Sequence, residues 1–215
     1  YAPTTTKQLK DLANHLSINL ADIDVSNITD MSGLFKNTQR QDFSGIEEWD
    51  VSNVTNMSGM FYGAKNFNHD ISNWDVSKVK NMSSMFYGCE SFDQPLEKWD
   101  VSSVTDMSYM FTDAKNFNQP LENWDVSSVT NMGGIFSCAT SFNQPLYGWD
   151  VSNVTNMAGM FEGRRTFNIL GRRIHISSET SFNQPLASWD VSNVKDMSLM
   201  FDCSAQNPLP YWYKG

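Results

Sequence analysis

The chain lacks any apolar run approaching the roughly 18 residues that a membrane-spanning helix needs. It is also poor in basic residues, with 15 Lys and Arg against 24 Asp and Glu in 215 residues. The resulting formal charge of −9 excludes nucleic acid as an expected partner, because neutralising phosphates takes clustered Lys and Arg. Direct membrane insertion by this segment is not expected either. No signal peptide precedes Tyr1, so an export signal or anchor is expected outside the segment. The three histidines, His15, His69 and His175, have no nucleophile or metal-ligand spacing around them, and no Gly-rich phosphate loop occurs. An enzyme is therefore not expected.

Repetition is what the chain has in excess. EWDVSNVTNM occupies 48–57, NWDVSKVKNM 73–82, KWDVSSVTDM 98–107, NWDVSSVTNM 123–132, GWDVSNVTNM 148–157 and SWDVSNVKDM 188–197. DIDVSNITDM, at 22–31, is a weaker copy with Ile23 in place of Trp. The WDVS aspartates fall at 24, 50, 75, 100, 125, 150 and 190, giving spacings of 26, 25, 25, 25, 25 and 40. Such a period points to one repeating architecture with a 15-residue insert in its sixth unit.

Within the unit 99–123 two periods coexist. Trp99 and Val101 alternate around Asp100 as in a strand, whereas Met107, Met110, Phe111 and Ala114 follow helical spacing. The residue before that run is Asn or Asp in every unit, as at Asp106, and reads as a helix N-cap. Gly63, Gly88 and Gly163, with Asp113 in the same slot, read as helix ends. FNQPL, as at 117–121, supplies core Phe and Leu, a Pro-fixed turn and an Asn/Gln ladder between coils. The expectation is an α/β solenoid with one short parallel strand and one short helix per 25-residue repeat.

The recurrent aspartate has two readings. It closes an Asx-turn by accepting N–H groups two or three residues on, or seven stacked carboxylates recruit Ca²⁺. Each unit offers only one Asp and one Ser, which favours the turn, so no cofactor is expected. Cys89, Cys138 and Cys203 lie two repeats apart, about 10 Å at a strand spacing near 4.8 Å, beyond the roughly 7 Å a disulfide spans. They read as small buried apolar residues.

One domain is expected over 1–215: an N-terminal helical cap (1–21), seven repeats (22–203) with an insert within about 164–183, and a C-terminal cap (204–215). KQLKDLANHL, preceded by three threonines, reads as an amphipathic helix with Leu9, Leu12, Ala13 and Leu16 on one face. NPLPYWYKG covers the last coil or forms an exposed aromatic patch, and with both ends accounted for a complete domain is expected. In the insert, 166–177 reads as a hairpin turning at Gly171-Arg172, with Phe167, Ile169, Ile174 and Ile176 on one face. Either Phe167 or Phe182 fills the repeat's core Phe slot.

L-x-x-W-D-V, as at 121–126, resembles the concave strand of leucine-rich repeats, and V-T-x-M-x-x-M-F-x-x-A-x-x-F, as at 54–67, resembles the convex half of the BspA-like repeat. The unit as a whole, over about 21–203, resembles the repeat of BspA-like bacterial surface proteins and mycoplasma lipoproteins. That resemblance implies a right-handed, leucine-rich-repeat-like coil in a secreted or cell-surface protein that adheres to a host or matrix protein or glycan. It carries over no site residues.

Candidate partner-binding residues are therefore those that vary between coils or lie in the insert: Tyr62, Tyr87 and Tyr147, and Arg164, Arg165, Arg172, Arg173 and His175. A projecting basic loop on an acidic body suits recognition of a partner or an anionic glycan, although an inert decorated loop is the plainer reading. A non-catalytic monomeric binding scaffold is expected, with a purely structural spacer as the alternative. The file Thr29, Thr55, Thr105, Thr130 and Thr155 suggests lattice binding, but Lys80 and Lys195 interrupt it.

Overall fold

The computed structural model describes residues 1–169, 172–177 and 179–214; over 164–169 and 172–177 it is the backbone that is described. The chain begins with α1, Thr6–Ala13. Thr5 starts it by accepting the Gln8 amide at 3.2 Å, satisfying one of the free donors of the first turn. Leu9 and Ala13 are buried against the first coil, and Leu12 packs at the margin. Leu16 lies past the helix end and is 62% exposed, so the four-residue apolar face expected here is cut to three.

The repeats do not form the expected strand and helix, nor therefore the leucine-rich-repeat-like α/β solenoid. Among the described residues α1 is the one α-helix, and β1 (Arg164–Ile169) and β2 (Arg172–Ser177) are the only strands, both inside the insert. Each repeat is instead a succession of turns. The physical cause lies nine residues after each WDVS aspartate, in the middle of the apparent helical run. Gly33, Gly59, Ser84, Tyr109, Gly134, Gly159 and Leu199 all have φ between 56° and 63°. A left-handed residue interrupts an α-helix and is what a type II turn requires at its third residue. A second left-handed residue follows four later, at Asn37, Gly63, Gly88, Asp113, Cys138 and Cys203.

Backbone hydrogen bonding alternates to match. Met60 N–H closes a turn onto the Met57 carbonyl, and Tyr62 N–H closes one onto Gly59. The amides between them leave the coil: Gly59 donates to Ser83, Phe61 to Met85 and Gly63 to Tyr87, at 2.6–2.9 Å. A run of apolar residues three and four apart thus arises from turns whose every second amide is spent on the next coil. The Asn and Asp read as helix caps do accept the amide two residues on, as Asn56 does from Ser58 at 3.1 Å, but as Asx-turns. The coils are joined along this line by single parallel bridges, Asp30 to Asn56, Asn81, Asp106, Asn131, Asn156 and Asp196 in turn.

Inside, like residues stack on like. Phe35, Phe61, Phe86, Phe111, Phe136, Phe161 and Phe201 form a column of near-parallel rings 5.5–5.8 Å apart. A second column holds Phe67, Phe92, Phe117, Phe142 and Phe182. Phe182 therefore takes the core slot, 3.8 Å from the Phe161 ring. Burying such a side chain contributes about 2–3 kcal/mol. Each Trp indole donates to a carbonyl of the coil before it, as Trp124 does to Leu96 at 2.9 Å. Outside the rings runs the Asn/Gln ladder: Asn118 Oδ1 accepts both the Asn143 amide and the Gln144 side-chain amide.

The hairpin of the insert forms, in a different register from the one expected. Arg172 pairs with Ile169 and Ile174 with Phe167, so Arg172 is not a turn residue. Residues 170–171 lie outside the described residues, as do the hairpin's side-chain faces. The insert replaces nothing in the coil, because its two ends root side by side: Gly163 N–H donates to Asp202 and Thr180 N–H to Cys203.

Candidate functional site

The aspartate file comes first, since it is the most regular feature of the surface. Oδ1 of Asp24, Asp50, Asp75, Asp100, Asp125, Asp150 and Asp190 each accepts the amide of the serine two residues on, at 3.0–3.1 Å. At Asp75 and Asp125 the serine hydroxyl donates to the same oxygen at 2.6 Å. Serine hydroxyl and amide together hold these two carboxyls below the usual aspartate range. The carboxylates are turn-closing groups. Among the described residues no three or more His, Cys, Asp or Glu converge as metal ligands.

The threonine file is spent in the same way. Thr105, Thr130 and Thr155 hydroxyls donate to carbonyls of the preceding coil at 3.1–3.2 Å. At the N-terminus, His15 Nδ1 and Ser17 Oγ are 3.0 Å apart on an exposed surface. No third group orients the imidazole among the described residues, so the pair lacks the arrangement that activates a serine. Cys89 and Cys138 are buried and Cys203 half-buried, all unpaired; burial pushes the Cys89 and Cys138 thiols up.

Two positions that vary between coils lie nine and twelve residues after each aspartate, and a turn places them side by side. The twelfth-residue file reads Lys36, Tyr62, Tyr87, Thr112, Ser137, Glu162 and Asp202. Tyr62 and Tyr87 stack with ring centroids 4.5 Å apart and planes 7° off parallel. Lys36 Nζ sits 4.7 Å from the Tyr62 centroid, in the range of a cation–π contact. The Tyr62 ring thus lies between Tyr87 and the Lys36 ammonium. Next in the ninth-residue file comes Tyr109, 51% exposed despite a φ of 57°. A positive φ in a bulky residue costs on the order of 1–2 kcal/mol. The Tyr109 ring lies over Gly134, where an added Cβ would stand 2.5 Å from its Cδ1.

Of the residues singled out in the sequence, then, Tyr62 and Tyr87 are brought together. Tyr147, 57% exposed, lies just before Trp149 in another part of the coil and makes no ring contact with them among the described residues. Backbone pairing places Arg164 and Arg165 at the root of the hairpin, opposite Ser177 and Ile176, and Arg172 and Arg173 at its far end, opposite Ile169 and Asn168. His175 pairs with Thr166. The root follows Glu162, so the hairpin leaves from the same file that carries the two tyrosines. Tyr109 and Lys36 were missed. The recurrence of Gly33, Gly59, Gly134 and Gly159 at one phase was the available signal, since glycine marks left-handed backbone.

A family model described as "Mycoplasma protein of unknown function, DUF285" matches three overlapping segments, 6–108, 89–178 and 172–212. No curated protein matches the chain, and no solved structure does.

Proposed function

We propose a function for a chain that belongs to the Mycoplasma DUF285 family of unknown function: it is a non-catalytic scaffold at the bacterial cell surface that binds a host or matrix protein or glycan. The observation that carries this reading is Tyr109, an exposed aromatic side chain held on strained backbone, three repeat positions before the phase at which Tyr62 and Tyr87 stack. Such strain contributes nothing to packing, and tyrosines are residues around which interfaces concentrate binding energy. The arginine-bearing hairpin, leaving from the same file, adds cationic groups to an acidic body. The likeness of the repeat to those of BspA-like surface proteins supports the surface location and the adhesive role.

The test is an array of glycans and matrix proteins probed with the intact chain and with a Tyr62→Ser/Tyr87→Ser/Tyr109→Ser variant. A ligand bound by the first and lost by the second supports the proposal. An array with no ligand favours the second reading, a spacer, which draws on the unbroken Phe column from Phe35 to Phe201.

A further inference from the structure

The two ends of the stack are closed to different degrees. At each of the six junctions, the amides 7, 9, 11 and 13 residues after the aspartate donate to carbonyls 6, 8, 10 and 12 residues after the next aspartate; Met157 to Asp196, Gly159 to Ser198, Phe161 to Met200 and Gly163 to Asp202 is the last such set. In the final coil the equivalent donors are the amides of Met197, Leu199, Phe201 and Cys203, and they meet no acceptor among the described residues. The carbonyl of Lys195, whose counterpart Thr155 accepts from the next coil, likewise meets no donor among them.

The apolar surface is open at the same place. Val151, Val154 and Met157 are at most 1% exposed, whereas Val191, Val194 and Met197 are half-buried and Leu199 is 54% exposed. The C-terminal segment covers only the other half of this coil, where Trp212 stacks on Trp189 and Tyr213 meets Phe201 edge-on. An exposed edge that pairs apolar side chains with unspent backbone donors is a template for strand addition.

We propose that the open half of the last coil, residues 190–199, docks a second protein chain bearing the same repeat, which adds as the next coil in parallel. The chain's own six junctions define what fits: carbonyls opposite Met197 and Leu199, an amide opposite Lys195, and Val and Met side chains over Val191, Val194 and Met197. A second copy of this chain does not fit. Its first coil is covered by α1, with Thr6 Oγ1 on the Asp30 carbonyl at 2.8 Å and Asn14 Nδ2 on Leu34 at 2.9 Å, the carbonyls an incoming coil needs. Two final coils set face to face would oppose amide to amide and Asp196 to Asp196. The partner is therefore a repeat-bearing chain whose first coil is uncapped.

The experiment uses the intact chain and a fluorescent peptide, WDVSNVTNMAGMFE, copied from residues 149–162. Saturable binding by anisotropy, absent for a scrambled peptide, is expected. A peptide N-methylated at the residue copied from Thr155 loses the amide for Lys195 and binds at least about tenfold more weakly. Met197→Lys and Leu199→Asp, of opposite charge so that electrostatics alone cannot explain both, each weaken binding by a similar factor while melting cooperatively. No binding up to about 1 mM, equal binding of the scrambled peptide, or indifference to both variants overturns the proposal. Dimerisation of the intact chain that Met197→Lys abolishes overturns the choice of partner.

Discussion

Trp212 donates its indole N–H to the Leu186 carbonyl at 3.1 Å, the bond that Trp189 makes to Leu146 at 3.0 Å, although Trp212 lies outside every copy of the repeat. The rings of Trp149, Trp189 and Trp212 are near-parallel at 6.5 and 6.3 Å. The segment after Cys203 closes half of the last coil by imitating the coil that would follow. Of the two readings open for its aromatics, Trp212 and Tyr213 take the covering one, while Tyr211 is 82% exposed.

Trp212→Ala should then cost about 2 kcal/mol, less than the roughly 3–5 kcal/mol expected for the fully buried Trp189→Ala. Urea denaturation measures both. A silent Trp212→Ala would mean that the imitation contributes no closure.

Arg40 ties the N-terminal segment to the stack. Its guanidinium donates to the carbonyls of Ala13, Asp42, His15 and Ile18 at 2.8–3.0 Å, while only 5% of the residue is exposed. Arg40→Leu strands several buried carbonyls and should destabilise by about 2–4 kcal/mol. Arg40→Lys keeps the charge without the planar fork and should recover less than half of that. Loss of amide-exchange protection in α1 would accompany both; unchanged protection would refute the role.

Tyr109→Gly should stabilise the chain by about 1 kcal/mol, by removing a left-handed Tyr. Gly134→Ala should destabilise it, since the added Cβ meets the Tyr109 ring and sits at φ 63°. Combined, the changes should cost less than their sum, because Tyr109→Gly removes the clash and leaves only the backbone strain. Thermal melts of the four forms give the coupling, and strict additivity would contradict the contact.

Stability should fall in acid. Asp75 and Asp125 have folded-state pKa values lowered by serine hydrogen bonds, so their contribution is present above the unfolded value near 3.9 and is lost as pH drops through the lower folded values. The melting temperature at pH 3 should lie below that at pH 6, and Asp75→Asn/Asp125→Asn should shrink the difference. A higher melting temperature at pH 3 would show that repulsion along the file dominates instead.

Thiol reactivity should rank the cysteines. Cys203, half-buried, should react with an aromatic disulfide reagent in the native state. Cys89, whose Sγ donates to the Phe61 carbonyl at 3.0 Å in a fully buried site, should react only on unfolding. Two equally fast native thiols would refute this order.

Much was legible in advance because it repeats. The stacking of Trp99, Met107, Phe111 and Phe117 on their counterparts, the Asx-turn at Asp100 and the Asn/Gln ladder all follow from phase alone. The helix in each unit was misread because three-and-four spacing of Met107, Met110 and Phe111 is equally satisfied by consecutive turns. Periodicity reports which side chains face the core and is silent about the sign of φ at Tyr109 between them.

The candidate surface was only partly visible for a related reason. Tyr62 and Tyr87 stood out as variable residues at a shared phase, yet the contact of Lys36 with the Tyr62 ring and the exposure of Tyr109 depend on how tightly one turn follows another. The amino-acid sequence by itself determined the period, the buried residues and which side chains lie in register, because identical units stacked at a common spacing must place like upon like. The tertiary structure alone decided that the units are built of turns, that Phe182 outcompetes Phe167 for the core, and that one half of the last coil stays open. Those outcomes rest on where each backbone amide finds its acceptor, and for Met107, Tyr109, Phe111, Asp113 and their counterparts that acceptor lies a whole repeat away.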